Sequence, residues 1–371
     1  MIGVLGGYGD VGAFTSRALA RLGPGPLRIG GRDPVAARRL GAELGASDVG
    51  ACEVVAQAVD FTDEPSLQRF ADGCRILVNC AGPSHAVADR AARAALRAGA
   101  DYVDAAGDDT LFAALDPGAW SDRAAVLSAG LNPGLTGLLP RWAAARFTEV
   151  HGLTCYFGLL DHFTEVAADD YLQGAADGVS EPLAAWRDGR RRPGALRRRT
   201  GARVPCYPGT VTALPHLPTE GERLARALGI DRADWYTVVA GEHVRAAFDR
   251  VHALDRRDAA AALRRASLLD LAGRAPYVLL LAQLDGLSQG RAATSTVLLR
   301  GRRNAELTGA VTAAATLAVA RGEVPSGRHF AAGALDPQAT IDRLRASGAV
   351  TELVVLDAAI EDLDAVEEGA L

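Results

Sequence analysis

The 371-residue chain contains no lysine: all 40 of its Lys-plus-Arg positions are arginine. Schiff-base catalysis on a lysine amine is therefore excluded, as is any mechanism in which a lysine lowers the pKa of a neighbouring tyrosine. A P-loop, which needs its lysine on the phosphates, is excluded too. With the abundant alanine, this is the pattern a GC-rich genome produces. Cysteine is scarce, and its five positions (Cys52, Cys74, Cys80, Cys155, Cys206) are widely spaced and odd in number, with no C-x-x-C pair. Neither a disulfide framework nor a zinc knot is indicated, and reduced, mostly buried thiols are expected. No run approaches the roughly 18 consecutive apolar residues of a spanning helix. No basic segment with a cleavage pattern precedes the first apolar stretch, so a cytoplasmic protein with no membrane partner is expected. A net charge of −5 gives no electrostatic reason to expect nucleic acid as a partner. HExxH, G-x-S-x-G and clustered His/Cys/Asp patterns are all missing, so no metal is expected.

What is present begins at the N-terminus. A short apolar strand, Ile2-Gly3-Val4-Leu5, runs into Gly7-Tyr8-Gly9-Asp10-Val11-Gly12, and a helix pattern (Val11, Phe14, Leu19, Leu22) follows up to the break Gly23-Pro24-Gly25-Pro26. In a dinucleotide-binding turn Gly7 makes the tight turn, Gly9 lets the backbone approach a pyrophosphate, and Gly12 allows close helix packing. The phosphates would sit on the N-terminus of the helix that starts near Asp10. An NAD enzyme usually carries an acid at the end of the second strand, about 20 residues further on, to bind the ribose 2′-OH. Here that position reads Gly30-Gly31-Arg32-Asp33. The glycines leave room, and the Arg32 guanidinium suits a 2′-phosphate, so NADP(H) is expected over NAD(H). Asp33 and Pro34 have the chemistry of a helix N-cap and first helical residue.

Strand and helix alternate through the first third: strands at 2–6, 27–30, 54–60, 75–80 and 101–105, helices at 10–22, 34–44, 64–72 and 84–98, then a sixth strand at 126–129. Such alternation predicts an α/β fold with a doubly wound parallel Rossmann sheet. Right-handed crossovers put the carboxyl ends of those strands on one edge, making site candidates of Gly7, Arg32, Asp60-Phe61, Cys80-Ala81-Gly82-Pro83, Asp104 with Gly107, and 130–134. Beyond about Leu131 the pattern changes to an inserted α+β substrate domain. It reads as a helix at 136–147, a strand at 151–160, a helix at 164–174 and an Arg-rich loop or hairpin at 187–208. A strand meeting a helix edge follows at 235–248, then a hairpin of 276–286 and 293–300 joined by Gly286–Gly290. A helix at 307–320 could close back on the first domain; a helix at 337–347, a strand at 352–356 and an acidic, mobile tail complete the chain. The expected division is 1–130 plus about 305–335 for dinucleotide binding, and about 131–304 plus 336–371 for substrate and oligomerisation, with a homodimer left open.

These residues resemble the saccharopine dehydrogenase family, of the saccharopine reductase type. The likeness is carried by Gly6–Gly12, Gly31-Arg32-Asp33, Val59–Asp63, Val78–Ser84 with Ala98–Asp108, and Ala129–Gly134. It is dense over about residues 1–140, weak to about 290 and partial again over Leu307–Gly333. Asp108 stands where the family more often has Glu, and Asn132 where Asp is frequent. The resemblance implies a Rossmann domain, an inserted substrate domain, and nicotinamide-dependent redox chemistry, typically at the carbon–nitrogen bonds of opine-like secondary amines. Some relatives are trans-acting enoyl reductases, so membership leaves the substrate open.

Hydride transfer requires the nicotinamide held against an electrophilic carbon and one proton managed. The Ala81-Gly82-Pro83 turn suits the nicotinamide ribose, while Cys80 and His85 read as packing and capping residues. Acid–base or substrate-anchoring candidates are Asp104, Asp108, His162 and Tyr171, with Glu165 beside them; each has a structural alternative, such as a carboxylate capping the helix at Thr110. The arginines of 187–203 could clamp substrate carboxylates, although a charge run in a Gly/Pro-rich loop is usually solvated. Asn79-Cys80-Ala81-Gly82 resembles a short-chain dehydrogenase turn, but that class needs a Tyr-x-x-x-Lys. The reading is an NADP(H)-dependent oxidoreductase reducing a C=N bond of an amino acid-derived small molecule. An enoyl (C=C) reductase and a non-catalytic nucleotide-binding protein are the alternatives.

Overall fold

The computed structural model describes residues 1–23, 25–45 and 53–363. Pro24 of the first break, Cys52 and residues 364–371 of the acidic tail lie outside the described residues. From the N-terminus the chain runs β1 (Ile2–Leu5), α1 (Asp10–Leu22), β2 (Leu27–Gly31), α2 (Pro34–Gly45), β3 (Val54–Ala58), α3 (Glu64–Ala71), β4 (Ile76–Asn79), α4 (Ser84–Val87), α5 (Arg90–Arg97), β5 (Asp101–Asp104), α6 (Asp109–Ala114), β6 (Ala124–Leu127) and α7 (Leu135–Ala144). The middle of the chain comprises β7 (Glu149–Leu160), α8 (Glu165–Ala176), β8 (Ser180–Pro182), β9 (Ala185–Arg187), β10 (Arg190–Arg192), β11 (Arg199–Ala202), β12 (Val211–Pro218), α9 (Thr219–Leu228), β13 (Arg232–Val239), α10 (Glu242–Phe248), α11 (Arg256–Leu271), β14 (Tyr277–Ser288) and β15 (Arg291–Gly301). The last stretch is α12 (Asn304–Ala320), β16 (Gly327–Phe330), α13 (Ala331–Ala334), α14 (Pro337–Ser347) and β17 (Val350–Leu356).

Two compact units result. Met1–Leu138 with Ala305–Ala349 form the first, and Leu139–Asn304 with the segment from Val350 form the second. The helix at 337–347 clusters with the first unit, and the first unit's sheet gains a seventh strand, β16, beside β6.

The first unit holds a seven-stranded sheet in the order β16-β6-β5-β4-β1-β2-β3, all pairs parallel. The order reverses between β1 and β4, the topological switch point beside which doubly wound folds bind dinucleotides. β1 and the Ile76-Leu77-Val78 stretch of β4 are apolar and fully buried, as strands covered on both faces are. Below the sheet, Ala91, Ala92, Ala94 and Ala95 of α5 are fully buried with Phe70, Tyr102 and Trp120. α12 is buried nearly all round, and a Cβ at Gly309 would stand 2.7 Å from Phe14 Cβ, so α12 seats closely on α1.

Two local expectations are corrected. The helix expected over 84–98 is two helices, broken at Ala88 (φ 47°), and the break puts Val87 and the alanine face of α5 into the same core. The 286–290 hairpin loop is shorter: its two turn residues are Gln289 (φ 51°) and Gly290 (φ 75°), the positive-φ pair a two-residue hairpin needs. Gly286 instead lies within β14, where a Cβ would stand 2.0 Å from Glu149 O of β7. The Arg-rich stretch expected as a loop or hairpin does hold a hairpin, β10 pairing antiparallel with β9 just before it, and also the strand β11.

The second unit is built on a ten-stranded mixed sheet, with the path β10-β9-β13-β7-β14-β15-β17 and with β12 pairing β13, β11 and β8. β7 and β13 are parallel neighbours, so both deliver their carboxyl ends to one edge. α8, α10 and α11 pack there around Leu263, Phe163 and Phe248.

Candidate functional site

The strand registers build the edge in the first unit. Leu5 is level with Gly30 of β2 and with Asn79 of β4, Asn79 with Asp104 of β5, and Gly31 with Ala58 of β3. The segments that follow these residues, Gly6–Gly12, Arg32-Asp33, Asp60-Phe61, Cys80–Pro83 and Ala105–Gly107, therefore leave the sheet side by side.

The glycine turn has the shape a dinucleotide requires. A Cβ on Gly12 would lie 2.0 Å from Gly6 O, so only glycine lets α1 start so close to the turn. A Cβ on Gly9 would meet only Gly6 O, at 3.2 Å, leaving clear space on the side a pyrophosphate approaches. Ser16 Oγ donates to Gly7 O at 2.9 Å and fixes the loop from beneath. Ser16 and Gly6 (φ 70°) escape a motif reading, because their roles depend on which backbone atoms they face. Asp10 and Val11 open α1 with Gly9 as its cap, leaving backbone N–H groups for an anion. These residues fit an NADP(H) pyrophosphate.

At the end of β2, Arg32 is exposed. Asp33 caps α2, accepting from Val35 N (2.8 Å) and Ala36 N (3.1 Å). Asp60 accepts from Thr62 N and Thr62 Oγ1, both at 2.8 Å. Those two hydrogen bonds, helped by the charge on Arg32, hold the Asp60 carboxyl below the usual range. Phe61 packs against the core below. At the end of β4, Asn79 Oδ1 accepts from Ala81 N (3.1 Å), shaping the turn that leads to the cis Gly82–Pro83 bond. Cys80 Sγ contacts Thr15 Oγ1 at 3.5 Å, and burial pushes its thiol up to about 12. It is a packing group, inert as a nucleophile at neutral pH.

The acid–base candidates separate. Asp104 is buried, and its carboxylate accepts from Asn79 Nδ2 (3.1 Å), Tyr102 OH and Ala106 N (2.9 Å). Burial raises its pKa, against the three hydrogen bonds that lower it. Its hydrogen bonds tie β4, β5 and the following turn together. Gly107 (φ 58°) closes that turn, its carbonyl accepting from Ser128 Oγ at 2.7 Å. Asp108 caps α6 through Leu111 N at 3.1 Å, the structural alternative already stated for it.

His162 and Tyr171 lie in the second unit. His162 Nδ1 sits 3.0 Å from Oδ1 of buried Asp161, whose Oδ2 accepts from Asn304 N at 2.9 Å. Tyr171 stacks on Phe248 (4.9 Å) with Phe163 at its edge (6.1 Å). A second pair escapes the sequence reading: His243 Nδ1 lies 2.8 Å from buried Asp270, which also accepts from His243 N and Val244 N. Its partners are 27 residues apart with no motif between them, so only the fold joins them. The clamp arginines are largely engaged. Arg187 pairs with Asp234, Arg191 with Glu181 and Glu222, Arg192 with Asp188, and Arg198 with Asp249. Among the described residues no group of three or more His, Cys, Asp or Glu side chains could hold a metal. None of the described helices is long and apolar enough to cross a membrane.

The first unit is thus a Rossmann domain whose strand ends bring the glycine turn, the β2–α2 turn and the turn after β4 to one edge. Residues 2–131 match the family model of the saccharopine dehydrogenase NADP binding domain. NADP(H) is the cofactor the family supports. In fold, the chain is similar to apo saccharopine dehydrogenase (L-Glu forming) from Saccharomyces cerevisiae, with a TM-score of 0.66 and 14% identity over 96% of this chain and 99% of that one. It also matches Corynebacterium glutamicum DAP dehydrogenase in complex with DAP (16% identity, 93% and 98% covered, TM-score 0.48). A third match is an engineered D-amino acid dehydrogenase bound to NADP⁺ (17%, 93% and 98%, TM-score 0.45). No curated protein is similar to the chain in sequence at a significant level. The first unit thus matches an NADP binding domain, and the chain as a whole shares the fold of a saccharopine dehydrogenase.

Proposed function

We propose that this protein is an NADP(H)-dependent oxidoreductase that reduces the C=N bond of an imine derived from an amino acid. The observation that carries the reading is the dinucleotide edge: a glycine cradle open at Gly9, closed behind by Gly12, with exposed Arg32 at the end of β2. The family model over residues 2–131 and the fold shared with a saccharopine dehydrogenase, itself named for forming L-glutamate, support it.

When bound, NADPH supplies a hydride to the imine carbon, while the imine nitrogen takes a proton, so that C=N becomes CH–NH and NADP⁺ remains. On this reading Gly7–Gly12 hold the pyrophosphate, Arg32 binds the 2′-phosphate, and the Ala81-Gly82-Pro83 turn abuts the nicotinamide ribose. Asp104, through Asn79, fixes that turn rather than reacting. Within the second unit, the His162 ring is oriented by the buried carboxylate of Asp161, the arrangement of an acid–base group.

The test is NADPH consumption with three substrate panels: amines plus keto acids, preformed cyclic imines, and enoyl thioesters. Turnover with an imine-forming pair is expected. Turnover confined to enoyl substrates would replace C=N by C=C reduction, and NADPH binding with no turnover in any panel would identify a non-catalytic nucleotide-binding protein.

A further inference from the structure

Tyr8 stands between the two glycines of the turn, where a dinucleotide fingerprint asks for nothing in particular. Its ring lies across the end of β2. A Cβ on Gly31 would come within 2.4 Å of the ring and 2.7 Å of the phenol oxygen, so the ring occupies the space a side chain at 31 would fill. The phenol oxygen accepts a hydrogen bond from Asp33 N at 2.6 Å. Asp33 in turn caps α2 with its carboxylate. The residue enclosed by these two anchors, between Gly31 under the ring and Asp33 on the hydroxyl, is Arg32. Asp60, whose carboxyl feels the charge on Arg32, accepts hydrogen bonds from Thr62.

We infer that Tyr8 is a positioning residue for cofactor selection: it ties the pyrophosphate loop to the β2–α2 turn and so fixes where Arg32 presents its guanidinium to a 2′-phosphate. The inference rests on the proposed role of Arg32. An exposed arginine on an unanchored turn would lose conformational freedom on binding a phosphate, and that loss subtracts from affinity. A turn held at both neighbours has already made that loss on folding. The 2′-phosphate is the one group that distinguishes NADP(H) from NAD(H), so the effect of Tyr8 belongs in the ratio of the two affinities.

The experiment measures Kd for NADPH and NADH by fluorescence titration on wild type, Tyr8→Phe, Arg32→Ala and the double variant. Tyr8→Phe keeps the ring over Gly31 and deletes the hydroxyl alone. The expected result is that Tyr8→Phe lowers the preference for NADPH by about three- to tenfold, the worth of one hydrogen bond. In the Arg32→Ala background the same change should leave the ratio where Arg32→Ala put it. Equal weakening of both cofactors by Tyr8→Phe, or no change, overturns the inference while Arg32 keeps its role. A ratio unmoved by Arg32→Ala overturns the role of Arg32 and the inference with it.

Discussion

Single atoms decide whether this site can hold its cofactor. A methyl group on Gly12 would stand 2.0 Å from Gly6 O, a distance no rotamer change relieves. Gly12→Ala must therefore move α1 or the turn, with an expected loss of about 2–4 kcal/mol in stability and loss of measurable NADPH binding; urea melts and a titration check both. Arg32→Ala deletes the 2′-phosphate partner and leaves the pyrophosphate cradle intact. It should weaken NADPH by at least about tenfold, the scale of a charge-assisted hydrogen bond, and leave NADH nearly unaffected, as read by parallel titrations. At this scale the sequence is informative where a role depends on a glycine or a cap at a fixed offset, as at Gly7, Gly12 and Asp33. It is silent where the role is set by a distant neighbour. Asp104 reads equally as a substrate anchor or a turn carboxylate until Asn79 and Tyr102 are seen to occupy it, and the Asp270–His243 pair has no local signature at all.

Elements carry their own tests. β8, β12 and β13 enclose His216, whose Nδ1 lies 2.7 Å from Ser180 Oγ and whose Nε2 lies 3.1 Å from Thr237 Oγ1. Burial lowers its pKa to about 4 from 6.5, so the folded state holds the neutral ring. Below pH 6.5 the unfolded chain binds a proton that the folded chain does not, so the stabilising contribution is complete above that pH and is lost as pH falls towards 4. The loss amounts to at most about 3 kcal/mol. His216→Gln should flatten this part of the stability–pH curve relative to wild type in denaturant melts at pH 7, 5.5 and 4.5. At α10 the N-terminal amides of His243 and Val244 both donate to Asp270, so Asp270→Ala leaves two donors short of their acceptor. A loss of about 1–3 kcal/mol is expected, read as a lowered urea midpoint.

Element type in the first unit was legible because parallel strands buried on both faces read as apolar runs, and because Asp33-Pro34 and Asp336-Pro337 mark helix starts. The break at Ala88 was not legible, since Ser84 to Arg97 carries no helix breaker and the kink serves burial of Val87. β12 is not legible because its residues are patterned by β8, β11 and β13, neighbours from other parts of a mixed sheet.

For the whole molecule, the chain leaves the first unit within α7 and returns to it with α12, so neither unit is a continuous stretch of sequence. Ligand binding to the first unit is linked to folding by mass action: NADPH at a hundredfold excess over its Kd should add about 2.7 kcal/mol to the stability of that unit. A thermal melt with and without NADPH reads this as a raised Tm for the transition that involves it. The central claim is that the edge built from Gly6–Gly12 and Arg32 is an NADP(H) site. Titration of the full chain with NADPH and, separately, with NADH tests it most directly. Saturable binding of NADPH, tighter than NADH by at least about tenfold, is the result predicted. Equal affinity for the two, or no binding of NADPH, would contradict it.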